Sequence, residues 1–278
     1  MRSFADRLRS HWPEYLMEAA GLGLFMVSAA VVTAALEYPH SPLHAAISDP
    51  IVRRVLIGIC MGLTAVAIIY SPWGKQSGAH LNPAVTLTFY RLGKIEGGDA
   101  LGYVLAQSAG GFVGLWLAGI VLGPALAHPA VNYVVTVPGE AGIATAFLGE
   151  AAISFGLMVT VLFLSNHRTL APVTGLVAGG LVAVYIGIEA PLSGMSMNPA
   201  RTLASAIPAH VWTAFWLYLT APMGGMLLAA EFYLRAKGLE QVYCAKLHHH
   251  NNRARCIFRC RYGELLERGA ARPLSADR

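Results

Sequence analysis

The stretch Ser77-Gly-Ala-His-Leu-Asn-Pro-Ala-Val-Thr86 returns in the second half of the chain as Ser193-Gly-Met-Ser-Met-Asn-Pro-Ala-Arg-Thr202. Each copy lies between long apolar segments. Proline suits the first turn of a helix, where its missing N–H costs no hydrogen bond. An asparagine just before it is a favourable N-cap. Each copy should therefore start a short helix, over 82–91 and over 198–207, that interrupts an apolar region. Paired interruptions at corresponding places in two halves point to a transport site.

The flanking segments are of membrane-spanning length. Of the 278 residues, 55% are hydrophobic and 13% charged, against about 25% charged in a soluble domain. Runs long enough to cross a bilayer fall at about 15–36, 51–70, 100–122, 142–164, 170–190 and 211–234. The expected class is an all-α membrane protein with six transmembrane helices and two re-entrant half-helices. The net charge of +5 does not indicate nucleic acid, because the bases cluster in the tail and between spans. Cys60 lies in a span and Cys244, Cys256 and Cys260 in the tail, which is no disulfide framework. The polar N-terminus lacks a cleavage-site pattern and is not read as a removed signal peptide.

The halves resemble each other beyond the boxes. Glu18 in Glu-Ala-Ala-Gly-Leu-Gly-Leu-Phe is echoed by Glu150 in Glu-Ala-Ala-Ile-Ser-Phe-Gly-Leu, and Gly110-Gly111 by Gly224-Gly225. Three spans per half is an odd number, so the second half must lie inverted in the membrane. The division is a cytoplasmic N-terminus 1–14, a first half-repeat 15–123, an extracytoplasmic loop 124–141, a second half-repeat 142–235 and a basic Cys/His-containing cytoplasmic tail 236–278. Of the 20 Lys and Arg residues, only Arg53, Arg54 and Arg201 would fall outside the cytoplasmic side. The positive-inside rule places both termini in the cytoplasm, in a cell (inner or plasma) membrane. Arg53 and Arg54 would snorkel at the outer end of the second span.

Non-helical backbone at membrane depth is tolerated where protein buries it or a watery cavity receives it. The carbonyls of Gly78, Ala79 and His80, and of Gly194, Met195 and Ser196, are thus candidate pore acceptors. The amides of Asn82 and Asn198 are candidate donors, at a midplane formed with Pro83, Ala84, Pro199 and Ala200. Two opposed helix N-termini concentrate partial positive charge there. A cation is repelled, while a neutral hydroxylic molecule can donate to carbonyls and accept from asparagine.

Over about residues 14–235 the two boxes, their flanks and the paired glutamates resemble the aquaporin (major intrinsic protein) family. The resemblance implies a homotetramer with one pore per protomer, no enzymatic activity and no cofactor. It implies that Glu18 and Glu150 brace the re-entrant loops. It also implies an outer selectivity filter of four residues ending in Arg201, with Met195, Ile186 and, in the first half, Met61 or Gly62. Met61 is preferred, because the extra residue in Tyr70–Ser77 is easier to place in a loop than in a packed helix. Ile186 stands where strict water channels carry histidine, which widens the plausible cargo. Thr202, Ala206 and Phe215-Trp216 resemble the water-type pattern.

The leading reading is a passive channel for water that also admits small neutral solutes and excludes ions and protons, with the lipid bilayer as its surroundings and no nucleic-acid partner. The alternative is a channel mainly for an uncharged solute such as glycerol, a metalloid hydroxide or ammonia; a secondary transporter ranks below both. Trp73-Gly74-Lys75 is either an interfacial anchor or a gate over the cytoplasmic mouth. The tail reads first as a basic segment attracted to anionic lipid. No metal is expected at membrane depth; a tail site from Cys244, His248, His250, Cys256 and Cys260 is the speculative alternative, because Cys256 and Cys260 lack the tight knuckle spacing of most zinc sites.

Overall fold

Backbone groups in hydrocarbon have no water to bond, so an apolar span satisfies them internally as helix. In the computed structural model, which describes residues 4–249 and 255–270, the long apolar runs do so, and no strand occurs among the described residues. The helices are α1 (Phe4–Glu37), α2 (Pro42–Ala46), α3 (Pro50–Tyr70), α4 (Pro72–Ser77), α5 (Pro83–Arg91) and α6 (Gly97–Leu122). They continue with α7 (Pro124–Ala127), α8 (Gly142–Ser165), α9 (Thr174–Ser193), α10 (Pro199–Ala209), α11 (Phe215–Lys237) and α12 (Tyr262–Ala270). Six are long and apolar enough to cross a membrane. Proline opens α2, α3, α4, α5, α7 and α10, where it needs no donor.

The first helix starts earlier than the hydropathy suggests. Arg7, His11 and Tyr15 recur every fourth residue and so share one face. All three reach the buried Asp99 of α6, at 3.1, 2.7 and 2.6 Å. A polar anchor, not apolar length, extends α1 through the segment 4–14. Arg53 and Arg54 do not snorkel. Arg53 is buried, pairing with Glu37 and donating to the carbonyls of Ile47 and Ser48. Arg54 Nε donates to the Gly187 carbonyl of α9 at 3.0 Å.

The two halves repeat in their contacts. Within each half, the helix carrying the repeat glutamate crosses a later span at a glycine. A methyl group at Gly110 would be driven into the Ala19 carbonyl oxygen, and one at Gly225 into that of Ala151. Small residues allow this approach where lipid gives no hydrophobic incentive to associate. The structural partner of Gly110 is thus Gly225, one residue out of register with the Gly110-Gly111 to Gly224-Gly225 alignment. Tyr103 and Tyr218 are a further pair, donating to the carbonyls of Ser77 and Ser193 at 2.6 and 2.5 Å. On the outer faces of the spans, Ile120, Val121, Leu148, Ile188 and Leu228 stay exposed, as suits a hydrocarbon solvent.

Gly110→Ala is therefore expected to destabilise by about 2 kcal/mol through overpacking. Gly224→Ala, with nothing within 4 Å of the added methyl, should be neutral or better. Thermal denaturation of the two variants in detergent measures the contrast, and equal midpoints would count against this helix contact.

The tail is not a free basic segment. Val242–His248 is buried on the face of the bundle where α1 begins and α11 ends. Three of its arginines meet acidic groups there: Arg255 pairs with Glu14, Arg259 with Glu96 and Arg261 with Glu240. Opposite charge on the bundle, from Glu14 and Glu96, holds this segment down, while the Arg261–Glu240 pair lies within the tail itself. Trp73 is about half exposed, against an outer groove with Gly21 and Leu24. The tail-side mouth is met by the tail instead.

Candidate functional site

The two re-entrant loops meet head to head. Asn82 Oδ1 accepts from the N–H of Ala84 at 2.8 Å, and Asn198 Oδ1 from those of Ala200 and Arg201 at 3.1 and 3.2 Å, so each asparagine caps its own half-helix. The amide nitrogens act across the gap. Asn82 Nδ2 donates to the Met197 carbonyl and Asn198 Nδ2 to the Leu81 carbonyl, both at 2.7 Å. An amide carries two N–H groups, so each asparagine keeps one for the cavity that both side chains line. Pro83, Ala84, Pro199 and Ala200 are buried behind the asparagines, as the first residues of α5 and α10.

The loops before the boxes are strained. Gly78, Ala79 and Leu81 have φ of 96°, 54° and 52°, and Gly194, Met195 and Met197 have 79°, 49° and 52°. Left-handed backbone at non-glycine residues costs of order 1 kcal/mol each and persists only where the surroundings hold it. Here two carboxylates hold it. Glu18 accepts from the Ser77 hydroxyl, the N–H groups of His80 and Leu81, and Gln107 Nε2, at 2.7, 3.0, 2.6 and 2.8 Å. Glu150 accepts from the Ser193 hydroxyl and the N–H groups of Ser196 and Met197 at 2.7, 2.6 and 2.7 Å.

A cavity of about 360 Å³ runs past these loops. Met61, Ile186, Met195 and Arg201 all line it; Gly62 does not, and faces the Gly179 carbonyl across the α3–α9 contact. Arg201 Nη1 is buried with no partner in the protein. Ala79, His80, Gly194 and Ser196 line the cavity too, whereas Gly78 turns its carbonyl to the tail and accepts from the Leu247 N–H at 3.1 Å. His80 bonds the Thr86 hydroxyl through Nδ1 and the Ala245 carbonyl through Nε2, at 3.1 and 2.8 Å. Its ring lies between those of Phe89 and Phe258, with centroids at 5.2 and 5.4 Å.

Several residues here escaped the sequence reading. Arg54 lines the cavity toward the face opposite the tail, giving that end a second guanidinium beside Arg201. Its signal was an arginine inside an otherwise apolar span. Glu189, buried in α9, shares the Ser193 hydroxyl with Glu150 at 2.9 Å. Leu247 of the tail forms part of the cavity wall, and no local pattern marks it. The tail also gathers Cys244, His249, Cys256 and Cys260, whose ligand atoms lie within 4.8 Å of one another. The histidine is His249. His248 instead packs its ring against Tyr70 at 4.7 Å, and His250 lies outside the described residues. Hydrogen bonding with Cys244 and Cys256 holds the Cys260 thiol well below the ordinary thiol range.

Two opposed half-helices inside a six-span inverted repeat, around a cavity at mid-depth, define a polytopic helical membrane protein. Residues 7–233 match the sequence profile described as Major intrinsic protein, and the chain belongs to that family. It is 36% identical over 180 residues to a probable aquaporin NIP-type of Nicotiana alata, a match covering 63% of this chain and 64% of that protein. It is 37% identical over 174 residues to Aquaporin NIP6-1 of Arabidopsis thaliana, covering 62% and 55%. The chain thus spans less than two thirds of the length of these relatives. The X-ray structure of the aquaglyceroporin from Plasmodium falciparum superposes with a TM-score of 0.66 at 21% identity, covering 80% of this chain and 94% of that one, which shows the same fold.

Proposed function

We propose that the chain is a passive channel for water and small uncharged solutes that excludes ions and protons. The observation that carries this reading is the crossed pair of amide bonds, Asn82 to Met197 and Asn198 to Leu81. It fixes two helix N-termini, and hence their partial positive charge, at the middle of one cavity. A neutral solute finds an amide N–H there and carbonyls on either side; a cation finds repulsion. Arg54 and Arg201 add fixed positive charge toward the opposite end. Met61, Ile186, Met195 and Arg201 act as the selectivity filter, and its three apolar members leave the guanidinium as its charged, hydrogen-bonding wall. Apolar walls of this kind favour small uncharged solutes alongside water. An ion-coupled transporter is the weaker reading, because the Glu18 and Glu150 oxygens are engaged by the loops.

In this reading the tail-bearing face is cytoplasmic. Among the described lysines and arginines, only Arg53, Arg54 and Arg201 lie toward the other face. The channel sits in the inner or plasma membrane as a homotetramer with one pore per protomer.

Osmotic shock of vesicles carrying the full chain tests the function. The same measurement on Phe258→Asp, which sets a charge against the His80 ring and dislodges the tail, removes any effect of capping. With an impermeant osmolyte, shrinkage in at least one of the two should exceed that of empty vesicles about tenfold. Glycerol or urea as osmolyte should then give reswelling. Rates equal to empty vesicles for both proteins would sink the channel reading.

A further inference from the structure

The cluster in the tail has the dimensions of a metal site. A tetrahedral zinc ion with Zn–S bonds of about 2.3 Å sets two thiolate sulfurs about 3.8 Å apart. Cys244 Sγ and Cys256 Sγ are 3.7 Å apart. A disulfide would need about 2.05 Å. His249 Nε2 completes the set, 3.1 Å from Cys260 Sγ, and its ring is stacked on Tyr262 with centroids 4.2 Å apart. Three thiols and one imidazole are the donors of a closed structural zinc site.

The position of the ligands in the chain is as telling as their geometry. Cys244 and His249 bracket Ala245, Lys246, Leu247 and His248. Of these, Ala245 bonds His80 at 2.8 Å, and Leu247 bonds Gly78 and forms part of the cavity wall. Cys256 and Cys260 bracket Phe258, whose ring is stacked on His80. Both segments that touch the pore loop are therefore held at their bases by the same four side chains. Gly78, whose carbonyl would otherwise serve a permeating solute, is engaged by the tail.

We infer that Cys244, His249, Cys256 and Cys260 bind one zinc-class divalent ion, and that the bound ion locks the tail over the mouth of the channel. The second clause rests on the function proposed above. An ion that binds only the assembled cluster adds its binding free energy to docking of the tail. At a free concentration about 100 times its Kd it shifts the capped-to-open ratio about 100-fold. Removing the metal opens the pore; supplying it closes the pore. The channel thereby responds to soft divalent metal on the tail-bearing side.

The test uses the full chain. Purified with zinc, it should carry one zinc per chain. Exchanged into cobalt, it should show thiolate-to-cobalt charge-transfer absorption, and Cys256→Ser/Cys260→Ser should lose both signals. In phosphatidylcholine vesicles, chelation should raise water permeability about fivefold or more, and added zinc should reverse it. The site is overturned if the wild type holds no stoichiometric zinc and its cobalt form lacks the thiolate band. The lock is overturned if chelation leaves permeability unchanged while Phe258→Asp conducts. If Phe258→Asp conducts no better than empty vesicles, the channel reading fails, and the cobalt spectrum still decides the site by itself.

Discussion

Glu18→Ala is expected to abolish water conduction and to lower the thermal midpoint of the detergent-solubilised protein by about 5 °C or more. Glu18 is fully buried and accepts four hydrogen bonds, two of them from the backbone of the strained loop. Alanine leaves the N–H groups of His80 and Leu81 without the acceptor that holds them on the buried side of the loop. Each stranded buried donor costs about 1–3 kcal/mol, so the loop loses about 3 kcal/mol or more of support. The left-handed turns at Ala79 and Leu81 then relax. With them goes the Leu81 carbonyl that receives Asn198, and the crossed pair at the midplane opens. Glu18→Gln keeps one acceptor oxygen but turns an N–H toward donors, and should fall between the two. Wild-type conduction and midpoint in Glu18→Ala would show that the loop is held by something other than this carboxylate.

Arg201→Val should leave water conduction intact and raise proton and cation leak about tenfold, the equivalent of about 1.4 kcal/mol of barrier. The backbone of Arg201 is anchored on Asn198 at 3.2 Å, so valine does not release the half-helix. What disappears is a buried guanidinium with one nitrogen unpartnered by protein. Two unit charges at about 4 Å interact by about 4 kcal/mol at an effective dielectric constant of about 20. The expected rise is smaller than that, because Arg54 lines the same cavity and the two helix N-termini remain. Arg54→Val/Arg201→Val should therefore leak more than either single variant. A pH-sensitive dye and a cation-sensitive dye trapped in vesicles read both effects. An unchanged leak in the double variant would locate the whole barrier at the midplane asparagines.

Much of the scaffold was legible in advance because its causes are local. Each Asn-Pro pair carries its own cap and its own first helical turn. Glu18 and Glu150 were legible as a pair from their shared Glu-Ala-Ala context. The repeat register at Gly110 was one residue off, because two adjacent glycines look alike until one of them meets a carbonyl. Arg54 was misplaced because charge near a span end reads as interfacial unless a buried acceptor, here the Gly187 carbonyl, is known. The tail was least legible. Its arginines read as lipid-seeking, and only the tertiary structure pairs Arg255 and Arg259 with the bundle's Glu14 and Glu96. Its histidines are three in a row, so nothing in the run itself selects His249.

The sequence by itself determined that this chain crosses a membrane six times and folds two half-helices back into it. Span length, proline position and asparagine capping act within a few residues, and hydrocarbon forbids most alternatives. Only the tertiary structure decided that Met61 rather than Gly62 faces the cavity, that Arg54 joins Arg201 along it, that Leu247 forms part of its wall and that Phe258 stacks on His80. Those outcomes depend on which surfaces meet across long stretches of chain. Helix rotation and tail docking are settled by packing, buried acceptors and charge on distant elements, and such contacts leave no period in the sequence.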